Sequence, residues 1–278
     1  MSKTILFKNG SNFKSTSFGQ MVEISIYCYI RGLELGYDDI YIEWQNIRTL
    51  WDDYGRCISG FKLPKDDELP FSYVTNDTDK EFDKVIDISE RDIFYDGSEP
   101  VITDNGCKIK SIQTYIKDYI DRKGTPYIKL RHNDKQRYIL INYRHSSKSK
   151  QQFRNVDEIW YLKLIRYIKR NYNISVYKTG ESSRIDSLCD KVFGYSTENP
   201  SEMYSLMNDC IMYIGSPAGP WILSIFLNKP SLLMVRDKYI YDLEKSGMCG
   251  VLNNNQSLII TDKNNYKEML KFIDNVMR

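Results

Sequence analysis

Short β-prone runs alternate with helically periodic stretches along most of this chain, and that alternation restricts it to a parallel-sheet α/β architecture. Thr4 to Lys8 (TILFK) is a β run that ends in a polar loop, Asn9 to Ser17, carrying Gly10 and four hydroxyl residues. Phe18 to Leu35 has apolar residues near three- and four-residue spacing (Met21, Ile24, Tyr27, Cys28), which predicts a helix. Gly36 stops it, and Asp39 to Trp44 starts a second strand. A right-handed crossover of this kind lays the strands parallel, with their C-terminal loops on one edge.

The same pattern continues. Asn46 to Gly55 reads as helical, Lys84 to Ile88 and Pro100 to Thr103 as strands, and Ile109 to Arg122 as a helix. Between them, Pro64 to Asp83 is charged and irregular. Gly124, Thr125 and Pro126 mark a break, after which the alternation restarts. Arg137 to Tyr143, Ile174 to Tyr177, Ile211 to Ile214 and Ser231 to Val235 are the expected strands of this second half. Asp157 to Arg170, Ser183 to Cys189, Ser201 to Asp209, Pro220 to Leu227 and Asn264 to Met277 are the expected helices. The expectation is therefore two Rossmann-like lobes, 1–125 and 126–278, each with a doubly wound parallel sheet, facing a central cleft.

Composition narrows the function. The net charge of +2 sets up no field that would recruit nucleic acid. Six cysteines, at 28, 57, 107, 189, 210 and 249, form no CxxC pair, and the chain has two histidines, so no zinc spacing is present. Cys28 and Cys210 lie in apolar periodic runs and read as buried thiols of a reduced, cytoplasmic compartment. The apolar stretch at the N-terminus is too short for a signal peptide. Cys210 to Asn228 carries no charge, but Gly215, Pro217, Gly219 and Pro220 break its centre. Strand, turn and buried helix suit it better than a membrane span, which leaves only peripheral membrane contact open.

Three loops at strand ends carry chemistry. After the strand ending at Ile214 comes Gly215-Ser216-Pro217-Ala218-Gly219, with Pro220 in the first helical turn, where its missing N–H is harmless. Small residues let the backbone approach a ligand, the helix start favours a phosphate, and Ser216 adds a hydroxyl. A tight turn that needs small residues only for packing would look the same. The second loop is Asn142-Tyr143-Arg144-His145-Ser146-Ser147-Lys148-Ser149-Lys150, then Arg154. Arg144 can fork two N–H bonds to a phosphate, and Lys148 or Lys150 can add a point charge. The alternative is a solvated basic loop. The third, Lys178-Thr179-Gly180-Glu181-Ser182-Ser183, offers Thr179 and a carboxylate at Glu181 for ribose hydroxyls, or simply an acid near a helix start. In a parallel sheet all three loops share one rim. In the N-terminal half, Gly19 at a helix start beside Lys8 and Lys14 suits an acceptor site.

The stretch GSPAGPWILSIFLNKPSLLM resembles the donor-site segment of GT-B glycosyltransferases. NYRHSSKSKQQFRN is similar to the basic strand-end loop of bacterial and viral members and to the HxR loop of fucosyltransferase-like enzymes, with Tyr143-Arg144-His145 standing where those have His-x-Arg. SFGQMVEISIYCYIRGLELG is similar to their glycine loop and first helix. The resemblance implies a cytoplasmic transferase moving a hexosyl or deoxyhexosyl group, as in polysaccharide biosynthesis. A UDP-, GDP- or CMP-linked sugar would be held in the C-terminal lobe without metal or other cofactor. A glycan or small hydroxyl compound would be the acceptor. Arg144, Lys150, Ser216 and Gly219 would contact diphosphate, and Glu181 the ribose. An inverting enzyme needs a base; with His132 and His145 the sole histidines, a carboxylate is expected, and Glu23 is the one chosen. A retaining enzyme would need no such base.

Other readings fit the same chain. Asp77-x-Asp79 after a β-like run (FSYV) matches the metal-binding DxD of GT-A enzymes, but 37 acids in 278 residues give about five acid-x-acid triplets by chance. A nucleotide-sugar epimerase or hydrolase, or a non-catalytic ligand-binding protein, could use the same two lobes.

Overall fold

The structure is a computed structural model, and it describes residues 2–9, 18–44, 72–74, 80–88, 93–96, 99–104, 107–124, 137–145, 155–194, 200–236 and 255–278. The expected helix at Asn46 to Gly55 and the Asp77/Asp79 pair lie outside these residues. The chain divides into two compact units: residues 1–131 with 200–202, and residues 132–199 with 203–278.

In the first unit, β1 (Thr4–Asn9), β2 (Asp39–Trp44), β3 (Ser72–Val74) and β4 (Lys84–Ile88) form a parallel sheet in the order β3-β2-β1-β4. Helix α1 (Phe18–Glu34) crosses from β1 to β2. It packs so closely that a Cβ on Gly32 would stand 2.6 Å from Ile40. Residues 22–30 are all buried, because α1 also meets α2 (Ile112–Lys123). Arg122 and Tyr115 of α2 both bond to Glu34 at the end of α1.

A three-stranded antiparallel sheet, β5 (Ile93–Asp96), β6 (Glu99–Asp104) and β7 (Cys107–Ser111), was not anticipated. It corrects the helix expected from Ile109: residues 107–111 pair with β6 instead, and Ser111 caps α2 by accepting from the Thr114 N–H at 3.1 Å.

The second unit is a six-stranded, wholly parallel sheet: β8 (Tyr138–Tyr143), β9 (Ser175–Gly180), β10 (Lys191–Val192), β11 (Met212–Gly215), β12 (Ser231–Val235) and β13 (Gln256–Ile260), in the order β10-β9-β8-β11-β12-β13. Every residue of β8 is buried, as expected of a central strand covered on both faces. Helix α3 (Glu158–Asn171) lays Tyr161, Leu164, Ile165 and Ile168 on the sheet at three- and four-residue spacing. Each such side chain contributes about 1.5–3 kcal/mol. Asp157 caps it by accepting from the Ile159 N–H at 3.0 Å, and losing that cap would cost about 1 kcal/mol. Helices α5 (Gly219–Phe226) and α6 (Tyr266–Met277) complete the unit, together with α4 (Pro200–Asp209) from residue 203 on, residues 200–202 grouping with the first unit. β10 and β13 had no counterpart in the sequence reading.

The uncharged segment around residue 219 is strand, turn and buried helix. Among the described residues no helix is long and apolar enough to cross a membrane. The protein is thus an α/β chain of two Rossmann-like units with parallel sheets.

Candidate functional site

The strand order of the second unit fixes where its ligand edge is most open. The chain winds from β8 to β9 to β10 in one direction, then returns to place β11 on the other side of β8. Loops leaving β8 and β11 therefore diverge, and the crevice between them at the C-terminal strand ends is the topological switch point. Register places Asn142 beside Gly215 and Tyr143 beside Gly180. Arg144, Ser216 and Glu181 each follow directly after the last residue of their strands, so all three stand on this one edge.

Arg144 is only 8% exposed. A guanidinium so far from water needs hydrogen-bonding company, and an anion suits it. The hydroxyl of Tyr213 braces the β11 loop from within its own strand: it donates to the Ser216 carbonyl at 3.4 Å. Burial first, and then Tyr161, hold the Tyr213 pKa well above the usual phenol range, and the nearby Arg144 charge opposes them.

Ser216 is wholly buried (0% exposed), and its Oγ has no hydrogen-bond partner among the described residues. An orphaned buried hydroxyl costs about 1–3 kcal/mol, so its retention calls for an explanation. Two residues on, the start of α5 has an extended cap residue, Ala218, and no side chain bonded to it. Gly219 is the first residue of the helix, and Pro220 follows it. Ser216 supplies a hydroxyl and the α5 start a backbone amide dipole, three residues apart on the same loop.

Tightness is built into the backbone here. Gly180 has φ +96°, and a Cβ on it would stand 2.1 Å from the Tyr143 carbonyl oxygen. A Cβ on Gly215 would meet the Tyr213 hydroxyl at 2.5 Å and the Asn142 carbonyl at 3.0 Å. Both glycines thus let neighbouring strands close up directly beneath the rim.

The other expected site residues fall differently. Thr179 is inside β9 rather than on a loop, and its Oγ1 donates to the Gly194 carbonyl at 2.7 Å. Glu181 is half-buried at the tip of β9, its N–H donating to the Tyr143 carbonyl at 3.0 Å. Glu23 is buried on α1, in the other unit. Lys148, Lys150, Arg154 and His132 lie outside the described residues. Among the described residues, no three His, Cys, Asp or Glu side chains gather as a metal site would require.

Sequence reasoning missed two polar groups. Lys178 was placed on a loop; it is in β9, wholly buried, with Nζ 2.6 Å from Asp186 and bonded to the Glu181 carbonyl. Asp186, eight residues on, was the available signal, since a buried lysine needs a carboxylate close by. Arg236, just past β12, pairs loosely with Asp262 at 3.9 Å and adds a cation to the same edge.

No family model matches the sequence, and no curated protein matches it. Among solved structures, E. coli heptosyltransferase WaaC with ADP-2-deoxy-2-fluoro heptose matches with TM-score 0.48 and 8% identity, covering 98% of this chain and 99% of that one. E. coli ADP-heptose LPS heptosyltransferase II matches with TM-score 0.46 and 10% identity over 99% and 98%. A glycosyl transferase of family 9 from Veillonella parvula DSM 2008 matches with TM-score 0.45 and 10% identity over 99% and 97%. Likeness of that size carries no argument about chemistry.

Proposed function

We propose that the chain is a glycosyltransferase that takes a nucleotide-sugar donor at the β8/β11 crevice and passes its sugar to a hydroxyl acceptor without a metal ion. The observation that carries this reading is the buried Ser216 hydroxyl, unpartnered among the described residues, one residue beyond β11 at a switch point it shares with the buried charge of Arg144. A diphosphate supplies acceptor oxygens for the Ser216 hydroxyl and the α5 start, and a negative charge that suits the Arg144 guanidinium.

The chemistry is positioning and charge stabilisation. As the bond between anomeric carbon and diphosphate breaks, negative charge grows on the leaving group. Arg144, Ser216 and the Gly219 end of α5 are fixed before that moment, so they favour the transition state over the ground state. Lys150 and Arg154 are proposed as further phosphate cations, Glu181 as the ribose partner, and Glu23 as the base that takes the acceptor proton. UDP, GDP and CMP sugars are the donors proposed; the heptosyltransferase structures hold ADP compounds and add ADP to the set to be tried.

Calorimetry and thermal shift with UDP, GDP, CMP and ADP test the first half. One nucleotide should bind and raise Tm, and Arg144→Ala should weaken that binding. No binding by any of them removes the proposal. Incubating the matching sugar nucleotides with and without hydroxyl acceptors tests the second half. Turnover that needs no acceptor means an epimerase or hydrolase. Activity that EDTA abolishes means a metal-dependent enzyme.

A further inference from the structure

The first unit has a switch point of its own, and a buried side chain there bonds to none of the described residues. Its sheet order, β3-β2-β1-β4, shows the chain winding from β1 to β2 to β3 and then returning to the far side of β1. The crevice falls between the C-terminal ends of β1 and β4. Asn9 is the last residue of β1, in register with Ile88, the last residue of β4. It is 1% exposed, and among the described residues neither its Oδ1 nor its Nδ2 has a hydrogen-bond partner. A carboxamide with both ends unsatisfied is among the least favourable things to bury in a protein interior.

Direction follows from register. Ile5, Phe7 and Asn9 alternate onto one face of the sheet, beside Ile40 and Ile42 of β2. That is the face α1 covers, since Gly32 of α1 sits against Ile40. Helix α1 begins at the edge where β1 ends, so Asn9 is directed toward the start of a 17-residue helix. The first turn of α1 holds no acid, Ile88 is apolar and buried, and Lys8 with Glu43 (4.0 Å apart) alternates onto the opposite face.

We infer that the Asn9 carboxamide, at the β1/β4 switch point, is a binding group for a neutral ligand bearing neighbouring hydroxyls. A hydroxyl can accept from Nδ2 while another donates to Oδ1; a phosphate or carboxylate has no proton for Oδ1 and would be repelled by it. A sugar ring edge has the required pair. This deepens the transferase reading and rests on it, naming Asn9 as the residue that holds the acceptor.

The test replaces Asn9 by Leu, of similar size and with no polar atom, and by Ala. An orphaned amide kept for a ligand predicts that Asn9→Leu raises the urea midpoint, because it removes two unsatisfied groups and leaves no hole. A lower midpoint for both variants overturns the proposal, since the amide is then bonded within the fold. The second arm titrates methyl glucoside, methyl galactoside and methyl mannoside by saturation-transfer NMR against the full chain. Signal from at least one, lost in Asn9→Leu, is expected, with the nucleotide affinity of the second unit unchanged. Equal signal in Asn9→Leu, or none in the parent chain, overturns it. Nucleotide binding measured in parallel separates failure here from failure of the donor site. In a transfer assay the acceptor KM should rise on the order of tenfold or more, the scale of one hydrogen bond, with donor KM unchanged.

Discussion

Lys178→Met puts the architecture of the rim to a quantitative test. The Lys178 ammonium is enclosed completely, and Asp186 is its counter-charge at 2.6 Å; the same Nζ also bonds to the Glu181 carbonyl, so it holds the β9 tip from below. Removing one member of a buried ion pair costs about 3–5 kcal/mol, because the other charge is left without compensation. Asp186 keeps 27% of its side chain exposed and two weak seryl donors, Ser182 at 3.2 Å and Ser183 at 3.4 Å. The lower end, about 3 kcal/mol, is therefore expected. At about 2–4 °C per kcal/mol this is a Tm loss of ~6–12 °C. Lys178→Met/Asp186→Leu should recover most of it, since neither charge then remains to be desolvated.

The pH dependence carries an independent sign. Burial pushes the Asp186 pKa up, but the Lys178 hydrogen bond and charge, the Ser183 backbone N–H and the Ser182 hydroxyl bring it below its ordinary value. A depressed folded value contributes stability that is fully present above the unfolded pKa, about 3.9, and lost as pH falls through the lower folded value. Lys178→Met should flatten that acid limb. Urea melts of Lys178→Met, Asp186→Leu and the double variant between acid and neutral pH supply the measurement. A single variant as stable as the parent, or a double variant whose loss is the simple sum, would refute the ion pair as the device that fixes the Glu181 tip.

Other consequences can be checked on the same protein. Ser216→Ala should hold or raise Tm while weakening nucleotide binding by calorimetry, since the hydroxyl has no partner to lose; lower stability with unchanged affinity would contradict the site. Gly180→Ala should cost at least about 3 kcal/mol, combining left-handed backbone strain with a Cβ 2.1 Å from the Tyr143 oxygen. Gly36→Ala, at φ +80° but with nothing within 4 Å, should cost only about 1–2 kcal/mol, so denaturant melts of the pair separate clash from strain. Glu23→Gln should lower kcat with donor affinity unchanged; equal kcat would remove this carboxyl from the chemistry.

The sequence by itself determined the elements whose pattern is local. Asp39 to Trp44 and Ser231 to Val235 are strands with the expected bounds, and the proline- and glycine-broken centre of the uncharged segment is a turn before a buried helix. Glycine, proline and apolar periodicity act within a few residues, which is why they can be read directly. Strand order is not local. Nothing near Tyr143 or Gly215 says that β8 and β11 are neighbours with β9 and β10 to one side, yet that order makes the crevice. The strand at residues 107–111 was hidden because its partner, β6, overrode a helical spacing. Lys178 looked like the start of a loop because a lysine is buried only when a carboxylate from elsewhere reaches it. Asn9 and Ser216 were visible as polar residues at strand ends; that no partner meets their side chains is a property of the packed fold alone. Composition and periodicity describe what each residue prefers, whereas a site consists of preferences left unsatisfied, and those exist only once the chain has closed around them.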